Sequence, residues 1–201
     1  MATYTLSAEP THSLWNAALP ARLAIAPGDT VHFECQDSSG AQVHSGMTTV
    51  EFQGIDRGRI HALTGPVFIE GAEPGDVLQI DVLDVRHKGW GWSSVIPGLG
   101  FLKQRFSEPF LFHWDLEPLI SRSLSPAVFP LRPFCGILGV ASAEQGEFRT
   151  RPPGLFGGNM DVPELAAGAT LYLPVLQPGA LFSCLDAHAA QGNGEVCING
   201  I

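Results

Sequence analysis

Apolar runs of strand length recur along the chain, each closed by a turn signal. The segments ARLAIAPGDTVHFEC (21–35), GRIHALTGPVFIEGAEPGDVLQIDVLDV (58–85), FCGILGVAS (134–142) and GATLYLPVLQPGALFSCLDAH (168–188) are rich in Val, Ile, Leu and Phe and bounded by Pro-Gly or Gly-Asp. Helical periodicity is poor throughout. Proline interrupts PFLFHWDLEPLISRSLSPAVFPLRPF (109–134) so often that strands and loops are expected there, not a helix. The phrases APGDTVHFE (26–34) and EPGDVLQID (73–81) open alike, which reads either as weak duplication or as repeated hairpin-turn chemistry. Residues 86–107, RHKGWGWSSVIPGLGFLKQRFS, are expected to form a long loop rich in Gly and Trp, and Trp90 and Trp92 could line an apolar pocket. The pattern predicts a mainly β unit, a jelly-roll-like sandwich or distorted barrel.

Composition supports this picture and removes several functions. Among 201 residues there are 23 glycines and 16 prolines and only 15% charged residues, which suits many short elements joined by tight turns. Twenty acids against eleven bases leave a formal charge of −9, and the bases are scattered singly. No stripe is present that would neutralise phosphates or an anionic membrane surface, so neither nucleic acid nor membrane is an expected partner. The first residues carry no basic segment followed by an apolar run, so a cytoplasmic location is expected. Cys35, Cys135, Cys184 and Cys197 lack Cys-x-x-Cys spacing and read as small hydrophobes, with Cys184 and Cys197 as minor metal-ligand candidates.

Three short stretches concentrate the reactive side chains. In LDAHAAQGNGEVC (185–197) a strand ending near His188 would project Asp186 and His188 from one face. A turn through Gly192–Gly194 could return Glu195 towards them, with Gln191 between. One imidazole and two carboxylates suit Zn²⁺ with an open position, while a solvated hairpin tip explains the spacing equally well. In GGNMD (157–161), Asn159 and Asp161 form a second i, i+2 pair that could bind a metal, orient water or hold an amide, or merely make a turn. In IHALTGPVFIEGAEPGD (60–76), Glu70 ends an apolar run and could be partly desolvated and tuned as a general base, while Glu73 and Asp76 belong to the turn. No nucleophile elbow, phosphate loop or dinucleotide fingerprint is present.

These phrases in this order, with PFCGILGVAS between them, resemble the acetamidase/formamidase family over roughly residues 20–201. The resemblance implies hydrolysis of the C–N bond of a small-molecule amide of the formamide or acetamide type, on a jelly-roll β fold with minor α/β additions. It also implies a homo-oligomer and a divalent metal, zinc or alternatively calcium. Carried over by motif, it marks His61 and Glu70, then Asn159 and Asp161, then Asp186, His188, Gln191 and Glu195. Two local departures stand out: the last motif reads GNGE, with Asn193 where members usually have Asp, and VASAEQ replaces an Ala-Pro turn. Family members continue well past this point, so residues 1–201 are expected to be a single domain lacking a C-terminal portion.

The expected mechanism is metal-assisted amide hydrolysis. Asp186 and His188, with Glu195 or Asp161, would hold the ion, and Glu70 would move the proton between water and the departing ammonia. Gln191 or Asn159 would steady the oxyanion or the substrate NH₂, with His61 in the same catalytic set. Two alternatives stay open: a non-catalytic β-sandwich module that binds a metal or small ligand, and a hydrolase of another amide such as a γ-lactam.

Overall fold

The computed structural model describes residues 1–201 and is mainly β, with 34% strand and 4% helix. Six strands form a curled main sheet: β1 Thr11–His12, β2 Leu23–Ile25, β3 Leu63–Ile69, β4 Phe134–Gly139, β5 Gly157–Asn159 and β6 Phe182–His188. Their spatial order is β5-β4-β6-β3, and β1 and β2 share the outer edge of β3. There β1 pairs antiparallel at Leu63 and Thr64, while β2 pairs parallel from Val67 to Ile69.

The central strands are buried on both faces, which explains their nearly continuous apolar sequences. On one face Val67, Ile69, Leu138, Phe182 and Cys184 form a core with Leu173 and Val175. The antiparallel pair Val77–Asp81 and Thr170–Pro174 contributes Leu78, Ile80 and Leu171 to the same core. On the other face Trp15, Leu63, Ile137 and Leu185 pack together. Alternation along β4 sends Ile137 to one core and Leu138 to the other, and β6 does the same with Leu185 and Cys184.

A further apolar cluster, Val43, Phe52 and Leu111, lies beneath the short helix α1 Thr49–Gln53. Thr48 and Glu51 cap its start reciprocally. Trp90–Val95 pairs antiparallel with Phe110–Asp115 over this cluster, so the expected loop at 86–107 contains a strand instead. Trp90 stacks on His113 and Trp92 packs on Phe52, which gives the segment enough apolar anchorage to extend. The two Pro-Gly-Asp phrases also depart from expectation. Each makes a tight turn, but the strand after it leaves the main sheet: Thr30–Phe33 pairs parallel with Thr3–Leu6, and Val77–Asp81 pairs with Thr170–Pro174. They are corners between layers, not hairpins. No helix is long and apolar enough to cross a membrane.

The accessible surface is 10843 Å² for 21.5 kDa. A compact monomer of that mass exposes about 9,200 Å². Part of the difference is visible beside the first core, where Ile25, Val31, Phe33, Leu78 and Ile80 touch buried residues yet stay half-exposed along a wide trough.

Packing makes a direct prediction. Ile137→Ala, at a 0% exposed position between β5 and β6, should cost about 2–5 kcal/mol of unfolding free energy. Leu155→Ala, at an 85% exposed position, should stay within about 0.5 kcal/mol of the parent. Urea unfolding followed by tryptophan fluorescence measures both.

Candidate metal and catalytic site

Four strands and their exits bring the reactive side chains to one end of the sheet. Asp186 and His188 lie on β6, and their side chains meet as the i, i+2 spacing predicts, with His188 Nε2 3.7 Å from Asp186 Oδ2. Asp161 follows β5, where the amides of Met160 and Asp161 both donate to the carbonyl of Gly136 on β4. That double hold swings the Asp161 carboxylate over β4 until Oδ1 is 3.3 Å from His188 Nε2. Gly136 leaves the room for this approach: a Cβ there would stand 2.5 Å from Asp161 Oδ1 and 3.2 Å from His188 Nε2. Gly200 makes similar room over the His188 ring. Ser93, Ser94 and Asn199 bond the closing segment to the Trp90–Val95 strand.

Asp161, Asp186 and His188 each offer one donor atom, and these atoms lie within 4.8 Å of one another. Asp186 and His188 are 7% and 9% exposed. Despite the short contact between them, Asp161 Oδ1 and His188 Nε2 make no aligned hydrogen bond, and neither has another partner. The pairing is therefore electrostatic, with both atoms facing a shared point. Two ligands on a tetrahedral zinc with bonds of about 2.1 Å stand about 3.4 Å apart, close to the spacing here. The donor set and its orphaned atoms fit a divalent cation.

Backbone geometry shows how tightly the group is imposed. His61, Asp161, Asp186 and Glu195 have φ of 63°, 48°, 55° and 39°, left-handed values that non-glycine residues rarely adopt. Such conformations persist only where surrounding contacts hold them, and they cluster at functional sites.

The charges interact strongly. Burial works to lower the His188 pKa, but Asp161 and Asp186 more than offset it and hold it at about 10. Burial works to raise the Asp186 carboxyl, and His188 and His61 together bring it below its ordinary value. Glu195 is pushed up to about 7 by burial and then by the neighbouring charges of Asp161 and Asp186. Burial lowers His61 against the opposing pull of Asp186, so its imidazole is neutral at pH 7.

His61 enters from the lead into β3, with Nε2 3.8 Å from Asp186 Oδ2 and Nδ1 3.0 Å from Thr150 Oγ1. Glu195 stands half-buried beside the triad without joining it. Gln191 Nε2 donates to the Asp161 carbonyl and Asn159 Nδ2 to the Arg151 carbonyl, leaving both side-chain oxygens buried without partners. Glu70 is not brought here. It lies in the turn past the far end of β3, exposed, and the seven residues of β3 span about 23 Å. The expected desolvation of Glu70 is absent because the apolar run ends one residue earlier, at Ile69. Cys184 belongs to the core and Cys197 is half-exposed; neither joins the donor group, and all four cysteines are free. Asn193 is exposed at the turn, outside the donor group. Thr150, Gly136 and Gly200 carried no sequence signal, because their importance rests on contacts between distant segments.

The cluster opens onto the trough, a cavity of about 2160 Å³ that His61, Asn159, Asp161, Asp186, His188 and Glu195 help to line.

The pKa directions set a stability window for the metal-free chain. Folded His188 holds its proton up to about pH 10, against 6.5 unfolded, so its contribution is complete below pH 6.5 and is lost as pH rises towards 10. Glu195 adds the same sign between about 4.5 and 7. Lowered His61 and His12 act with the opposite sign below pH 6.5, so in chelator the urea midpoint should fall from pH 6.5 to pH 10, and His188→Gln should flatten that fall; an unchanged slope in that variant would show that His188 does not carry it.

Known proteins share the sequence and fold of this chain. The profile of the Acetamidase/Formamidase family matches residues 3–146 and 142–201. The formamidase of Methylophilus methylotrophus is 26% identical over 94% of this chain and 60% of its own length. For the acetamidase of Mycolicibacterium smegmatis the figures are 26%, 94% and 62%. Among solved structures, the acetamidase of Bacillus halodurans superposes with a TM-score of 0.93 at 33% identity, covering 98% of this chain and 66% of that one. The γ-lactamase of Delftia acidovorans gives 0.88 at 26%, covering 95% and 60%. The chain thus spans less than two thirds of the length of these relatives. With the family profile matched along nearly its whole length, the chain belongs to the acetamidase/formamidase family.

Proposed function

We propose that this site hydrolyses the C–N bond of short primary carboxamides, giving a carboxylate and ammonia. The observation that carries the proposal is the triad of Asp161 with the buried Asp186 and His188, in which Asp161 Oδ1 and His188 Nε2 lack hydrogen-bond partners, in a chain of this family. A divalent cation held by the triad supplies Lewis acidity, polarising a carbonyl and making water more acidic. The imidazole and the small donor count suit zinc, since calcium takes six to eight oxygens.

Proton movements fall to the two groups beside the triad. Neutral His61 accepts the proton of the attacking water at Nε2 as the water oxygen bonds to the amide carbon. Glu195, with its carboxyl held at about 7, donates to the nitrogen as the C–N bond breaks. Return of the His61 proton to Glu195 resets both. Asn159 keeps an unpartnered Oδ1, which accepts an N–H of the substrate. Gln191 holds the Asp161 backbone and so positions that ligand. Glu70 takes no part.

A second substrate class is favoured by the likeness to the Delftia acidovorans γ-lactamase. Opening such a ring needs the same chemistry and leaves the amine attached to the acid.

The test is ammonia release from formamide and acetamide, with ring-opened amino acid measured for a γ-lactam. Release should stop in chelator and return with zinc, Asp161→Asn should lower it about a hundredfold or more, and Glu70→Gln should leave it near the parent rate. Chelator-resistant release would remove the metal from the mechanism, and a folded chain without any release would point to the binding-module alternative.

A further inference from the structure

We propose that Asn193 is a site of spontaneous covalent modification, converting to aspartate and isoaspartate, and that the fold shields the chain's other Asn-Gly pair, Asn199–Gly200, from the same reaction. Asn-Gly occurs at only these two places, and both lie in the closing segment. The inference does not depend on the hydrolysis proposed above.

The chemistry needs only the chain and water. The Gly194 amide nitrogen, its proton removed by hydroxide, bonds to Asn193 Cγ and closes a succinimide ring. The Cγ–Nδ2 bond breaks, and the side-chain nitrogen takes a proton from water and leaves as ammonia. Water then adds to one of the two ring carbonyls and breaks that carbon's bond to the Gly194 nitrogen, which recovers a proton. Opening at the side-chain carbonyl gives aspartate, and opening at the main-chain carbonyl gives isoaspartate. A glycine after the asparagine favours ring closure, because no Cβ crowds the attacking nitrogen and the backbone is free to turn.

Asn193 and Gly194 are open to this attack. A turn closed by the Glu195 amide on the Gly192 carbonyl, at 3.2 Å, places them at its two central positions, and both are exposed. Neither the Asn193 side chain nor the Gly194 amide has a hydrogen-bond partner in the protein, and the space around Gly194 is empty. Asn199 is the opposite case. Its Oδ1 accepts from the amide and from the hydroxyl of Ser94, both at 3.0 Å, and its Nδ2 donates to the Cys197 carbonyl at 3.0 Å. Gly200 is buried against the His188 ring, with its carbonyl held by Ser93 Oγ at 2.8 Å. Turning Asn199 Cγ onto the Gly200 nitrogen would break all three side-chain bonds. At Asn193 the product adds a negative charge two residues before Glu195, and isoaspartate also lengthens the main chain by one carbon ahead of the segment that packs on His188.

The experiment incubates the folded full chain in mildly alkaline heavy-oxygen water, with a urea-unfolded sample alongside, then cleaves after Glu195 to separate the two asparagines for peptide mass spectrometry. In the folded chain Asn193 should gain a heavy-oxygen carboxylate at least about tenfold faster than Asn199, which must first give up three hydrogen bonds. In urea the two should convert at similar rates, and Asn193→Gln should abolish the early product. An Asn193 that stays an amide in the folded chain, or an early product that persists in Asn193→Gln, overturns the assignment. An Asn199 rate that is the same folded and unfolded overturns the shielding.

Discussion

Two carboxylates and an imidazole meet at a point enclosed on the side of Asp186 and His188, which are 7% and 9% exposed, and much of the surrounding structure serves to hold them there. Asp161 and Asp186 repel, and burial strengthens that repulsion because the interior screens charge far less than water does. Left alone, such a pair would separate or take up a proton. The protonated His188 between them supplies the balancing charge in the metal-free chain, which is why its pKa stands at about 10. A divalent cation would supply the same balance with twice the charge, and would release that proton on binding.

Keeping such a group assembled places demands on the backbone. Four residues at the site adopt left-handed conformations, and β4 carries glycine at the one position where a side chain would collide with the donor atoms. The register of β4 on β6 brings that glycine opposite Asp186, between the pairs Cys135–Ala187 and Ile137–Leu185. The same strands divide their apolar side chains between two cores, so the packing that stabilises the sheet also fixes the site. A single register error would turn Asp186 and His188 away from Asp161 and move Leu185 out of the core it shares with Trp15, Leu63 and Ile137.

Much of this was legible in the residue pattern, and the parts that were not share a cause. Alternation in LDAHA is a local property, so the pairing of Asp186 with His188 could be read directly. The approach of Asp161 depends on β5 lying beside β4, which no spacing within GGNMD encodes; the motif resemblance brought it into the set. Glu70 misled because an acid after an apolar run looks desolvated, whereas the chain turns outward immediately after Ile69. Thr150, which touches His61, and Gly136, which leaves room for Asp161, meet the site only across segments far apart in sequence. The Pro-Gly-Asp corners were recognisable as turns, but the layer each following strand would join is a tertiary choice. The mainly β architecture followed from run length and turn chemistry, which are local.

The trough raises a separate question about how the site keeps water in check. A cavity of about 2160 Å³ is far larger than a formamide or acetamide needs, since pockets for much bigger ligands run to about 1,000 Å³. Yet Asp186 and His188 are buried by this chain's own strands, at 7% and 9% exposure, so the low-dielectric setting of the charges does not depend on anything filling the trough. Asp161, Glu195 and Asn159 are less enclosed and meet the open side, and Asp161, with 19% of its side chain exposed, is more open than His61 at 12%. Burial and access therefore meet within the donor group itself: Asp186 and His188 set the low-dielectric side, and Asp161 carries the group to the edge of the trough. A molecule arriving from solvent would thus reach the donor group from the Asp161 side, without uncovering Asp186 or His188.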